Sequence, residues 1–534
     1  MSPDRQNAID SLLSGNTSLG IELGSTRIKA SLIGNDHVPI ASGEYDWENQ
    51  LVDGIWTYSL TAIWEGVTEC YARLKQDTLE KYDVTLTKIG SIGISAMMHG
   101  YMVFDIEGKL LVPFRTWRNT ITAESSRILT ELFDYPIPHR WSISHLYQAI
   151  LNNERHISQI GYITTLAGYI HRKLTGARVL GVGDASGMFP IDTSTKNFDK
   201  VMISRFNDLI RDEGYPWRLE DILPEVLVAG EPAGYLTEEG VKLLDRSGGL
   251  NAGIPFCPAE GDAGTGMTAT NSVAPRTGNV SAGTSVFLMA VLEHNLKKVH
   301  PEIDLVTTPS GDPVAMVHCN NCTGDIDAWV KVFTEFAGAA GVEIDKTKIY
   351  DILYAKALEA DRDNGGLLSY NYISGESITN VETGRPLFLR QPDSRFTLAN
   401  FMQANLFSAV ATLKIGFDVL RDEEQVSLDM VNGHGGFFKA GNVGQRIMAA
   451  ALDTPIAVME TAGEGGPWGM ALLAAFMRNR ELDENLQDYL KKHVFADIKG
   501  SSIDPDPYLV NSFQMFMQRY KKYLFIEHML TDSL

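Results

Sequence analysis

Cysteine is scarce in this chain, with four residues in 534. So low a content fits a reducing compartment and excludes a disulfide-stapled fold. Cys319 and Cys322 form a Cys-x-x-Cys beside His318. No second pair closes a structural zinc site, and Cys70 and Cys257 lie far away in sequence, so packing is the expected role of the pair. The only Gly-Lys dipeptide, Gly108-Lys109, is followed by Leu110. A P-loop nucleotide site is thereby excluded, and the residue set of protein kinases is missing too. Basic residues are outnumbered, 46 Lys and Arg against 67 Asp and Glu, for a formal charge of −21. Binding a polyanion draws on clustered Lys and Arg to displace counterions, so no nucleic-acid partner is expected. No apolar run reaches the roughly 20 residues that span a bilayer; the longest near the C-terminus is 470–477. The first residues, Met-Ser-Pro-Asp-Arg-Gln-Asn, form no apolar signal core. These absences predict no membrane partner and a cytoplasmic location.

What is present fits an α/β protein. Hydrophobic content of 44% with 48 glycines is ordinary for that class. A chain of this length exceeds one hydrophobic core and predicts two domains of about 250 residues each. We expect an N-terminal arm over 1–18, a first domain over 19–274 and a second over 275–534.

The chain is organised around residues 19–32. Two alternating runs, 19–23 and 28–33, flank Gly24, Ser25, Thr26 and Arg27, which predicts a β-hairpin. Gly24 lets backbone approach a ligand, Ser25 and Thr26 offer hydroxyls and amides, and Glu22 offers oxygen to a hard cation. Such a tip suits a polyphosphate with its magnesium, although a polar-tipped hairpin is also the commonest way to reverse a chain. The same device recurs at 277–288, with Gly283, Thr284 and Ser285 at its tip. Two copies half a chain apart predict a duplicated architecture.

Along the chain, 37–43 predicts a third strand and the apolar spacing over 56–74 a helix. Residues 89–95 read as a buried strand ending in Ala96-Met97-Met98-His99-Gly100. Helices are expected over 122–133, 145–152 and 160–174, the last stopped by Gly176, and a loop of small residues over 181–187. In the second half, helices are expected over 325–337, 350–360, 397–420 and 470–477. A strand over 426–431 should run into Asn432-Gly433-His434-Gly435-Gly436.

In order and spacing, Glu22-Leu23-Gly24-Ser25-Thr26, Gly283-Thr284-Ser285 and Asn432-Gly433-His434-Gly435-Gly436 resemble the phosphate and adenosine motifs shared by actin, its heat-shock relatives and the sugar kinases. Met98-His99-Gly100, Trp117-Arg118-Asn119, Asp184-Ala185-Ser186 and Gly261-Asp262 further resemble the FGGY carbohydrate kinases, particularly the ketopentose kinases of xylulokinase and L-ribulokinase type. The resemblance implies two ribonuclease H-like, actin-like ATPase domains, each a mixed β-sheet flanked by helices, with an inter-domain cleft. It also implies transfer of the γ-phosphate of ATP to the terminal hydroxyl of a small sugar, with homodimerisation left open.

Residue by residue, Asp262 would be the base. Met98, His99, Trp117, Asn119, Asp184 and Ser186 would bind the sugar. Gly24, Ser25, Thr26, Gly283 and Thr284 would hold phosphates, and Gly435 and Gly436 would let adenosine lie against backbone. Mg²⁺ would bridge the phosphates, partly through water on Glu22 and Asp262. Each has a plainer reading: Asp262 as a helix cap, His99 as a buried hydrogen-bonder, Trp117 as core, Asn119 as a turn residue, Asp184 and Ser186 as loop supports.

Three departures from the family pattern carry information. Glu22 stands where Asp is usual, Ala263 follows the base where xylulokinases usually carry Asn, and 436–439 lengthens the adenosine loop. At Met98-His99 the Arg-Glu pair of glycerol kinases is absent. The sequence therefore favours D-xylulose or L-ribulose as acceptor, a hexulose or polyol next, and a catalytically silent sugar- and nucleotide-binding protein last.

Overall fold

The computed structural model describes residues 3–498 and 500–531, so the ends of the predicted arm and of the predicted second domain (1–2 and 532–534) lie outside the described residues. The chain divides into two compact units. The first comprises Met1–Ala274, Asp304–Val314 and Glu464–Asp497, the second Pro275–Ile303, Ala315–Gly463 and Ile498–Leu534.

Five strands form the main sheet of the first unit: β1 (Ser18–Leu23), β2 (Arg27–Ile33), β3 (Pro39–Asp46), β4 (Ser91–Ala96) and β5 (Glu260–Gly261), in the order β5-β4-β1-β2-β3. The first hairpin is antiparallel, with Glu22 opposite Lys29, while β4 runs parallel to β1 and β5 parallel to β4. Alternation along β1 and β2 gives way to burial on both faces because helices cover the sheet. Leu60–Tyr82 packs on one face and Gly465–Asn479 on the other. The second helix comes close enough that a Cβ at Gly20 would lie 2.1 Å from Pro467 O, so only glycine fits there.

The second unit is built on β6 (Thr277–Ala282), β7 (Val286–Val291), β8 (Pro313–Cys319), β9 (Met430–His434), β10 (Ile456–Met459) and β11 (Gly500–Ile503), in the order β8-β7-β6-β9-β10-β11 within a seven-stranded sheet whose remaining strand, Ile303–Thr307, lies beside β8. Its hairpin β6-β7 is antiparallel and β9 and β10 join in parallel, which repeats the arrangement of the first sheet. Helix Leu398–Asp418 is almost wholly buried, with Thr397 capping its start. The duplication read from the two hairpins is thus present: each of the five strands of the first sheet has a counterpart in the second, which carries further strands at its edges.

Several elements differ from expectation for identifiable reasons. The helix predicted from residue 56 begins at Leu60, because Ser59 caps it and Trp56 belongs to the short strand Ile55–Thr57. Residues 160–174 split into strand Tyr162–Thr164 and helix Leu166–Thr175, divided by the Thr165 cap. The small-residue stretch 181–187 is a strand end followed by the helical turn Val182–Ala185. The strand expected over 426–431 is shifted to Met430–His434, so Asn432 and Gly433 pair with β6.

Candidate active site

In the first unit three parallel strands end side by side. Glu22 is level with Ser95, and Glu260 is level with Ser95 from the other side of β4. That register brings the Gly24-Ser25-Thr26 tip, the Met98-His99 turn and Asp262 to one rim of the sheet, where ligands sit in α/β folds.

Asp262 opens the helix Asp262–Ala269 with Gly261 as its N-cap. It therefore sits in the first turn rather than ahead of a helix beginning at Ala263. Its Oδ1 accepts from Met98 N at 3.2 Å, which ties the carboxylate to the turn after β4. The residue reaches solvent, yet enough protein surrounds the carboxyl for desolvation to raise its pKa above the usual range. Glu22 is close enough to feel it. Burial first, and the Asp262 charge second, push the Glu22 carboxyl up to about 8. Thr265 Oγ1 lies 3.4 Å from Glu22 Oε2 and 3.2 Å from the main-chain carbonyl of Asp262, which ties Glu22 to the first turn of the helix that Asp262 opens. The Asp262 charge that Glu22 feels would be relieved by a cation, and a magnesium ion that takes most of its ligands from phosphate and water fits two carboxyls of this kind.

The Gly24-Ser25-Thr26 tip is held by aromatic side chains. Trp47 Nε1 donates to Gly24 O at 2.7 Å, Tyr58 OH donates to Ser25 O at 2.5 Å, and the two rings stack at 4.1 Å. Trp117, 39% exposed, reaches the same tip, its Nε1 donating to Ser25 Oγ at 3.3 Å. Trp47 and Tyr58 were not foreseen, since nothing in the sequence links positions 47 and 58 to a turn at 24–26.

His99 takes a left-handed backbone, φ 68°, which a residue with a side chain adopts at an energetic cost and which recurs at functional turns. Its Nδ1 stands 3.3 Å from Gly187 O. A carbonyl only accepts, so the proton sits on Nδ1 and Nε2 is left as an acceptor. Burial, and then the charge of Arg140, hold the ring neutral.

The remaining sugar candidates lie deeper. Asn119 is buried and its amide is engaged by Trp56 N, Trp56 O and Thr116 O, at 2.8–2.9 Å. Asp184 is fully buried. Its Oδ2 accepts from Thr165 Oγ1 at 2.6 Å, and its Oδ1 has no partner among the described residues. Ser186 is 2% exposed; its hydroxyl donates to Gly183 O at 2.5 Å and accepts from Thr307 N at 3.1 Å. Met98 is buried against Gly261, where a Cβ would meet its Cγ at 2.1 Å. Of the sugar candidates, Trp117 alone is open to solvent; Asp262 and the hairpin tip are open as well.

In the second unit, Gly283, Thr284 and Gly435 meet at adjacent strand ends. Gly435 has φ 106°, and a Cβ there would lie 2.4 Å from Ala282 O, while Gly436 faces open space. The segment after β8 braces this tip. Cys322 N donates to Thr284 O, and Thr323 N to Gly283 O, both at 2.9 Å. Cys319 and Cys322 are free and buried, and desolvation raises both thiol pKa values. Their surroundings are those of packing, and no group of three or more metal-ligating side chains occurs among the described residues.

Residues 17–268 match the N-terminal domain, and residues 278–478 the C-terminal domain, of the FGGY family of carbohydrate kinases. The chain belongs to the FGGY family. Xylulose kinase of Haemophilus influenzae is 23% identical over 343 residues, which span 62% of this chain and 65% of that protein. Two solved structures from Lactobacillus acidophilus show the same fold. The ligand-bound xylulose kinase has a TM-score of 0.76 at 16% identity and covers 94% of this chain and 96% of its own. The gluconate kinase also has a TM-score of 0.76 at 16% identity, covering 96% and 98%. Equal likeness to kinases named for two different acceptors means that the fold leaves the acceptor to the side chains.

Proposed function

We propose that this FGGY protein is an ATP-dependent kinase that phosphorylates the terminal hydroxyl of a ketopentose, D-xylulose or L-ribulose. The observation that carries the reading is Asp262, a solvent-reaching carboxylate of raised pKa, anchored on Met98 N, the residue that precedes a neutral histidine. A carboxylate whose pKa lies above the usual range is a better base than an ordinary one. Asp262 takes the proton of the acceptor's hydroxyl as that oxygen attacks the γ-phosphorus of ATP, and ADP leaves.

The other groups position and neutralise. His99 Nε2 accepts from a sugar hydroxyl, and the exposed face of Trp117 supports the ring-free carbon chain. Gly24, Ser25 and Thr26 take phosphate oxygens in the first unit, Gly283 and Thr284 in the second, and Gly435 and Gly436 take the adenosine. Glu22 and Asp262 would hold magnesium, which when bound neutralises charge on the phosphates. Asn119, Asp184 and Ser186 contribute from behind the sugar wall, because their polar atoms face protein. The domain division proposed from sequence, 19–274 and 275–534, assigns sugar and phosphates to the first domain and nucleotide to the second.

Ala263 supports a second reading, in which the acceptor is a hexulose, a polyol or a sugar acid, since a side-chain amide next to the base is missing. ADP release measured with both enantiomers of xylulose and ribulose, gluconate and glycerol separates the two. Turnover on a pentulose above all others is expected; turnover confined to gluconate or glycerol would overturn the ketopentose reading. Sugar and ATP binding without any product would overturn the kinase reading.

A further inference from the structure

Glu260 is a buried acid beside the candidate site that none of the motifs explains. It is 1% exposed on β5, two residues before Asp262. Its Oε2 accepts from Asp184 N at 2.9 Å and its Oε1 from Gly183 N at 3.3 Å. The space it fills is kept open by glycines on another segment. A Cβ at Gly181 would lie 2.2 Å from Oε1 and a Cβ at Gly183 would lie 2.4 Å from Oε2, both closer than non-bonded atoms can stand. Burying a carboxyl is costly without compensation, and here the compensation comes from two main-chain amides.

The clamp leads directly to the site. Asp184, whose amide Glu260 holds, bonds Thr165 through one oxygen and turns the other toward Gly261, 3.3 Å from where a Cβ on that glycine would be. Gly261 in turn is packed on Met98, whose amide anchors Asp262. Ser186 closes the turn on Gly183 and is braced by Thr307 N. A shift of the 181–186 segment would therefore reach Met98 and Asp262 through contacts already at packing distance.

We propose that Glu260 is a positioning residue that acts through Gly183 and Asp184 to hold Met98 and the Asp262 carboxylate in register with the acceptor hydroxyl. The proposal rests on the kinase reading of this site. Its prediction is asymmetric: Glu260 governs acceptor placement and leaves nucleotide binding alone.

The test compares the full-length protein with Glu260→Gln, using the acceptor that the ketose, gluconate and glycerol panel identifies. Glutamine keeps the shape but sets an NH2 against one of the two amides, so one clamp bond is lost. The expected result is a fall of about tenfold to a hundredfold in kcat/KM for the acceptor, with KM for ATP within about twofold of the parent. Gly183→Ala presses on the same carboxyl from the opposite side and should give the same split, and the double variant should lose no more than either single one. Should Glu260→Gln not fold, Gly183→Ala carries the comparison. Unchanged acceptor kinetics, or equal losses for acceptor and ATP that follow the fall in Tm, would overturn the proposal and leave the kinase reading intact. A parent protein that turns over no acceptor would overturn both.

Discussion

Gly466 and Glu22 share one space: a Cβ at position 466 would lie 1.4 Å from Glu22 Oε2 and 2.4 Å from its Cδ. The Glu22 carboxyl thus lies on the first turn of helix Gly465–Asn479, where free amides and the helix dipole favour an acceptor. The extra methylene that separates Glu22 from the family's usual Asp reaches that helix, and the glycine leaves room for it.

Gly466→Ala should evict the Glu22 carboxyl while sparing the fold, because the overlap is with the flexible end of a side chain. We expect acceptor-dependent turnover to drop by about a hundredfold, the loss of one well-placed electrostatic contact, and the magnesium concentration giving half-maximal rate to rise. Shortening the side chain in Glu22→Asp/Gly466→Ala should recover part of the rate. A magnesium titration that superimposes on that of the parent would count against a role for Glu22 near the metal.

Asp262→Asn should keep sugar affinity and lose turnover. Removing a general base typically lowers the rate by about 10²–10⁴, with calorimetric binding of the acceptor retained. If kcat were unchanged, Asp262 would be reduced to a residue that starts the helix Asp262–Ala269.

Local signals made much of this structure readable in advance. Both hairpins, the third strand of the first sheet and the stop at Gly176 follow from alternation and turn residues, which are properties of neighbouring positions. The strand ends that carry Gly24, Met98 and Asp262 were readable as motifs, but their adjacency is a fact of strand order, which alternation does not encode. The helix over 56–74 was placed early because Trp56 happens to continue the helical spacing while pairing as a strand. Glu260 sits at the end of the otherwise apolar run 254–259, and that single acid in a buried strand was the one signal available for it. Nothing comparable pointed to Trp47, Tyr58 or Gly466, whose partners at 24, 25 and 22 are distant in sequence and contiguous only once the sheet has formed.

Trp47→Phe should loosen the first phosphate tip without emptying the stack on Tyr58. The lost bond is the one from Nε1 to Gly24 O, at 2.7 Å. A hydrogen bond of this kind contributes about 1 kcal/mol net, which corresponds to a Tm lower by roughly 2–4 °C. We expect KM for ATP to rise severalfold with KM for the acceptor little changed. An ATP KM equal to that of the parent would show that the tip keeps its shape without this tether.

Acid should destabilise the protein through histidines buried in neutral form. Burial holds His145 down to about 3 and His171 to about 4, and neither ring nitrogen of His145 has a hydrogen-bond partner among the described residues. Their folded pKa values lie below the unfolded value near 6.5, so the unfolded chain binds more protons between these limits. Their contribution is therefore fully present above about pH 6.5 and is lost as the pH falls toward 4 and below. Asp184 and Glu260 act in the opposite sense. Burial raises both, so their contribution is present below about pH 4 and is lost as the pH rises through 7–8. A single pH–Tm curve mixes the two, and a difference between variants separates them. In His145→Phe the ring packing near Tyr101, centroids 6.1 Å apart, is kept while the titrating nitrogens are removed. Differential scanning calorimetry should find the variant close to the parent at pH 8 and more stable at pH 5, the gap widening by up to about 1.4 kcal/mol per pH unit below 6.5. Parallel Tm curves from pH 8 to pH 5 would mean that His145 gains access to water before the molecule unfolds.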